Sequence, residues 1–422
     1  MMDIQDQMNS RTVRHDRFWS ACLITVYLIF SVGQVHAAAD SVSSGTYKKL
    51  TAIQEQIAAN QLNEATKALA ELYAEVEADS IDAALVLQMQ GYTEMGKNDY
   101  PKAIAYLRKS LDLNRLPESI KYSVGYMVAQ LYAAQGQFNE ALTFAKEWFS
   151  TLENPTPDQS IFMANIFAQT KNYLDAIPYA SAAINKSESP KESWFQLLIA
   201  CYFEVKNYKG AESTLKQAIS LWPEKPSYWE QLASVYITRG DELKGLATLQ
   251  LAWKSGVLDK ESSIRSMIQL AITEGIPEHG ARLLAAAIDK EALPKNEKYL
   301  DLLANAWVAA KESSQAITAF EQLATVTGSG NPYVRIANLY LEKAQWEKAE
   351  EAVRSALSKD VDKPGNVWVS LGIALTEQTK FSDGMKAFRN AIAYDYAERR
   401  AKSWLKYAED LKRQHNWVNQ NS

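Results

Sequence analysis

Residues 193–223 read SWFQLLIACYFEVKNYKGAESTLKQAISLWP, and the spacing of their side chains decides the fold. Phe195, Leu198, Ile199 and Tyr202 recur at steps of three and four, as do Ala211, Leu215 and Ala218. Such steps place side chains on one face of a helix. Two short amphipathic helices are therefore predicted, with Ala211 opening the second apolar run and Pro223 ending it. A small residue at the crossing lets two backbones approach, and the large residues fill the groove beside it.

The same grammar recurs in both directions. It returns as Trp229, Leu232, Ala233, Tyr236, Gly245, Leu249 and Ala252, and near the end as Trp368, Leu371, Gly372, Leu375, Gly384, Phe388 and Ala391. The small residue of each unit is Ala65, Ala103, Ala141, Ala176, Ala211, Gly245, Gly280, Ala316, Ala349 and Gly384, at spacings of 33 to 38 residues. A chain of 422 residues would otherwise suggest two or three domains. The repeat replaces that count, because each unit hides its apolar face against its neighbours.

These residues resemble the tetratricopeptide repeat, whose W-x2-L-G-x2-Y…A-x3-F…A…P pattern and period of about 34 residues they share. The resemblance implies an all-α fold: a tetratricopeptide-type α-solenoid, a right-handed superhelix of about ten helix-turn-helix repeats over residues 46–396. The first repeat is degenerate, with Lys49, Ala52, Ile53 and Gln56 preceding Ala65. Residues 397–414 read as a capping helix with Trp404, Leu405, Ala408 and Leu411 on the buried side, and 415–422 as a flexible tail. Arg399, Arg400, Lys402, Lys406, Lys412 and Arg413 are expected outside, as a solenoid's polar end requires. Residues 153–157 and 327–332 are the loops expected to bend the array.

The first forty residues read as an address. Arg11, Arg14 and Arg17 precede an uncharged run, Phe18–Val32, and then Val35-His36-Ala37. A positive flank, a short apolar core and small residues at the −3 and −1 positions form a secretory signal peptide. Cleavage is placed after Ala37, with an uncleaved N-terminal anchor as the other reading. The expected location is the periplasm, with inner-membrane association if the anchor stays.

Composition excludes several function classes. Hydrophobic residues are 47%, charged residues 23% and the net charge is −5. This is a globular mix with no basic stripe, so neither disorder nor general nucleic-acid binding is expected. Beyond residue 37 there remain Cys201, His279 and His415, too few and too separated for a zinc site or a nucleophilic triad. No phosphate-binding glycine motif opens a helix. The chain is read as a non-enzyme with no cofactor, no metal and no small-molecule substrate. Cys201 is expected to be a buried, inert thiol.

What remains is surface. The resemblance implies that first helices line the concave side, which singles out Tyr92, Tyr126, Gln130, Asn165, Gln196, Glu230, Ser234, Arg265, Gln269, Asn305 and Asn338 as a peptide-binding surface. Six of the ten residues in the slot shared by Gln130, Asn165 and Gln269 are Asn or Gln. Carboxamides donate and accept, so a row of them can hold an extended backbone or, equally, bond between adjacent repeats.

An exported chain built of repeats, with runs such as Met89–Tyr100 and Val128–Tyr132, also resembles the tetratricopeptide component (TtpC-like) of Gram-negative TonB systems. That resemblance implies TonB, ExbB and ExbD-type partners and energised uptake of iron-siderophore or haem complexes. A scaffold for polysaccharide secretion or pilus assembly is the alternative.

Overall fold

The computed structural model describes residues 41–421, so the leader expected at 1–37 lies outside the described residues. The chain divides into two compact units, one reaching Asn207 and the other starting at Tyr208. The first contains α1 (Ser44–Ala58), α2 (Leu62–Glu75), α3 (Ile81–Gly96), α4 (Tyr100–Asp112), α5 (Glu118–Ala134), α6 (Phe138–Phe149), α7 (Pro157–Gln169), α8 (Tyr173–Lys186) and α9 (Glu192–Glu204). The second contains α10 (Tyr208–Leu221), α11 (Pro226–Thr238), α12 (Glu242–Lys254), α13 (Glu261–Thr273), α14 (Pro277–Asp289), α15 (Glu297–Ala309) and α16 (Ser313–Thr327). It continues with α17 (Asn331–Glu342), α18 (Trp346–Leu357), α19 (Pro364–Glu377), α20 (Phe381–Ile392) and α21 (Asp395–Asn421). Among the described residues there is no strand. The fold is the all-α, tetratricopeptide-type α-solenoid that the resemblance implies.

The ten turns within repeats share one geometry. Each holds one residue at positive φ: Asn60, Asn98, Gly136, Lys171, Lys206, Gly240, Gly275, Lys311, Ala344 and Thr379. The next N–H then reaches back five residues, as in Gln137 N–H to Tyr132 O at 2.9 Å and Asn207 N–H to Tyr202 O at 2.9 Å. This left-handed cap satisfies a carbonyl that the helix end would otherwise leave bare. Only three of the ten are glycine, so side chains sit where L-residues are strained in the rest.

Packing follows the repeat. Ala65, Ala103, Ala141, Ala176, Ala211, Ala316 and Ala349 are fully buried, and Gly245, Gly280 and Gly384 occupy the same slot. A Cβ on Gly384 would meet Thr376 Oγ1 at 2.6 Å and Gly372 O at 3.1 Å, which shows how close the two helices run. The residue after the small one forms a clamp in two repeats. Glu212 on α10 accepts hydrogen bonds from Lys216, Arg239 and the Tyr236 hydroxyl (3.1 Å). Glu350 on α18 takes Arg354, Lys380 and Gln378 in the same way. In both, one carboxylate ties its own helix to the next repeat.

One expectation needs correcting. The last helix runs on through residues 415–421, where the sequence reading placed a tail. Ala397, Ala401 and Ala408 bury its inner stripe and Trp404 stacks 6.4 Å from Phe388, while His415 lies 5.5 Å from the Phe381 ring. The loop at 327–332, expected to bend the array, is tied to the loop after α18: Gly330 N–H donates to Asp360 O at 2.8 Å, and Asn331 Oδ1 accepts from Asp362 N–H. A Cβ on Gly330 would strike Ala356 O, so glycine there serves close backbone approach.

Candidate peptide-binding surface

Four of the eleven residues singled out in the sequence meet in one place. Glu230 and Ser234 stand one turn apart on α11; Arg265 and Gln269 stand one turn apart on α13. They line two adjoining recesses of about 390 and 370 Å3 that share Ile237, Leu249 and Ser266. Leu249 comes from α12 behind them, so the floor is visible between the two first helices. On α13 the wall of the recess is made of short side chains. Ser262 and Ser266 stand there, while in the core Ile264 and Ala271 replace the Trp229 and Tyr236 of α11.

The polar groups of the wall are unevenly committed. The Ser266 hydroxyl donates to Ser262 O (2.9 Å), Thr238 to Ser234 O (2.8 Å) and Thr273 to Gln269 O (3.1 Å). Ser263 donates to the Glu230 carboxylate, linking one repeat to the next. The Tyr299 hydroxyl donates to Glu261 Oε1 at 2.5 Å, and burial, aided by that bond, holds the phenol above its usual pKa. Among the described residues no hydrogen bond or ion pair engages the side chains of Lys260, Arg265 and Gln269, which line the recess as donors. Its floor, Ala233, Ile237, Leu249 and Leu270, is aliphatic.

The other seven lie elsewhere. In the first unit the Tyr92 hydroxyl accepts from the buried Gln88 amide at 2.8 Å. Tyr126 stacks on Trp148 with ring centroids 3.8 Å apart and meets Phe162 edge-on at 5.1 Å, within an aromatic seam of α5, α6 and α7. Gln130 is half-buried, Asn165 donates to Ile161 O of its own helix, and Gln196 donates to Glu192. In the second unit Asn305 donates to Asp301 and accepts from Arg335 of the next repeat at 2.9 Å, while Asn338 is exposed. The amides thus show both behaviours open to them: Asn305 bridges repeats, and Gln269 faces the recess.

Sequence reasoning missed Ile237, Leu249, Lys260, Ser262, Ser263, Ser266, Leu270 and Thr273. The run Ser262-Ser263-Ile264-Arg265-Ser266, polar and lacking the expected aromatic, was the available signal. Cys201 is 1% exposed, and burial first, then the Glu204 charge, pushes its thiol up to about 11. His279 contacts the Gln250 amide and His415 that of Asn419. Among the described residues no group of three or more His, Cys, Asp or Glu is placed to hold a metal ion. No described helix is long and apolar enough to cross a membrane.

Comparison with known proteins agrees with the repeat. A tetratricopeptide repeat model matches residues 84–115, which cover most of α3 and all of α4. A model described as ChAPs (Chs5p-Arf1p-binding proteins) matches residues 124–269, about a third of the chain. Among solved structures, YrrB, described as a tetratricopeptide protein with an unusual peptide-binding site, is 15% identical. It covers 47% of this chain and 96% of its own, with a TM-score of 0.36. A tetratricopeptide protein from Parabacteroides merdae is 16% identical over 60% of this chain and 98% of its own, with a TM-score of 0.29. Comparison with curated protein sequences returned no match.

Proposed function

We propose that this chain is a non-enzymatic scaffold that grips extended segments of protein partners and works in the periplasm as an accessory component of a TonB–ExbB–ExbD type system. The observation that carries the scaffold reading is the α11–α13 recess, an aliphatic floor with uncommitted donors on its wall. Apolar anchoring with a few placed polar groups is how a groove holds a chain segment. The likeness of residues 124–269 to a family described by the proteins it binds supports an adaptor role. The TonB assignment and the location rest on the leader-like first 37 residues and on the family resemblance of the chain as a whole.

Two measurements separate these layers. A photo-crosslinking residue at Gln269 in iron-starved cells is expected to capture a TonB-system protein, with capture reduced by Ser234→Arg. Unimpaired siderophore-dependent growth of a deletion strain would remove the TonB assignment and leave the scaffold reading standing. A defect in polysaccharide secretion or pilus assembly with iron uptake intact would move the scaffold to that process.

A further inference from the structure

We propose that the α11–α13 recess selects an extended segment in which an aliphatic side chain and a carboxylate stand two residues apart. The proposal rests on the scaffold reading above and narrows it from any peptide to one chemical class.

The aliphatic half follows from the floor. Ile237 is 39% exposed, although it sits in both recesses and beside the buried Leu249. Its position depends on Gly245: a Cβ there would meet Ile237 Cγ1 at 2.8 Å, so glycine lets the isoleucine lie back against α12. The result is a depression shaped by branched side chains with no aromatic in it, which a leucine, isoleucine or valine fills.

The acidic half follows from the hydrogen-bond donors of the second recess. The recess formed by Ile237, Leu249, Arg265, Ser266, Gln269, Leu270 and Thr273 contains a guanidinium and no carboxylate. The carboxylates of Glu230, Glu261 and Asp301 keep their charge, but each already accepts a hydrogen, from Ser263, Tyr299 and Asn305. The hydroxyl hydrogens of Ser266 and Thr273 are spent on helix carbonyls. Among the described residues no ion pair or hydrogen bond engages the Arg265 guanidinium. The wall therefore offers a cation and an amide to an acceptor, and a planar guanidinium matches a carboxylate best. In an extended chain, side chains two residues apart point the same way and sit about 6.6 Å from each other. That spacing lets one residue rest on the floor while the other meets Arg265.

The test is fluorescence anisotropy of the full chain with labelled synthetic octapeptides on a Gly/Ser backbone. Each carries leucine with Glu, Gln or Lys placed two positions away on both sides. The Glu peptide is expected to bind tightest and the Lys peptide weakest. Arg265→Glu should weaken the Glu peptide about 10-fold and reverse the order, the scale of an exposed charge pair removed and then opposed. Ile237→Ser should abolish binding of all three, with unchanged circular dichroism showing that the repeats persist. Equal affinity for the three peptides, all lost in Ile237→Ser, would overturn the selectivity and leave the scaffold reading intact. A Glu preference that survives Arg265→Glu overturns it as well. Failure to bind any peptide would sink both readings. So would a concentration-dependent dimer that Ile237→Ser dissolves while peptides do not compete, because the recess would then belong to a second copy of the chain.

Discussion

Thr379 occupies the left-handed turn position of the last hairpin with φ at 63°, which a β-branched side chain adopts only under strain. The side chain is exposed, so glycine would lose no packing there. Thr379→Gly is expected to stabilise the protein by about 1 kcal/mol, read as a higher midpoint in urea. Cys201 makes the opposite kind of prediction. Its thiol is raised from 9.0 to about 11 because burial penalises the thiolate. The folded state thus holds its proton more tightly than the unfolded state does. The stability this contributes is complete below pH 9 and is lost as pH climbs towards 11, at no more than about 1.4 kcal/mol per pH unit. Cys201→Ala should flatten that part of the pH–stability curve, and a maleimide should label the native thiol far more slowly than the unfolded one. Equal labelling rates would contradict the burial.

At the scale of the element, the carboxylate clamps decide how one hairpin is fastened to the next. Glu212 is held below the ordinary carboxylate range, first by its hydrogen bond with Lys216 and then by Tyr236 and Arg239, against a desolvation penalty. A depressed carboxylate contributes stability above its unfolded pKa and loses it as pH falls through the folded one. Glu212→Ala should therefore cost about 1–2 kcal/mol at neutral pH and progressively less as the solution is acidified below pH 4.5, measured by urea titration at several pH values. A pH-independent cost would mean that packing, not charge, is what Glu212 supplies. Short loops act in the same role by apolar means: Leu258 and Leu293, each just past a second helix, are 3% and 1% exposed and plug the junction with the next repeat.

At the scale of the molecule, contacts run between elements near in sequence, so a fault should stay local. Gly372 faces the fully buried Phe388, and a Cβ there would stand well inside van der Waals contact with the ring. Gly372→Ala is expected to cost about 1–3 kcal/mol by overpacking. Hydrogen exchange should accelerate in α19–α21, with α3–α6 keeping their protection. Uniform acceleration along the chain would instead show global cooperativity. The same locality explains what could be read in advance. The small-residue slot was legible because Ala and Gly there answer to one neighbouring helix. Tyr126 was not, since its partners Trp148 and Phe162 come from two other elements.

The order of residues by itself determined the helices, their pairing and the ten-fold period, because each rests on spacings within about 35 residues. The left-handed turns were hidden, as only three of the ten carry glycine. Tertiary structure alone decided which polar side chains remain uncommitted. Asn305 and Gln269 fill the same slot of the repeat, yet one is spent on Arg335 and Asp301 while the other faces an open recess. The difference arises from side chains on adjacent helices: an arginine within reach of one, and serines too short to close the gap beside the other.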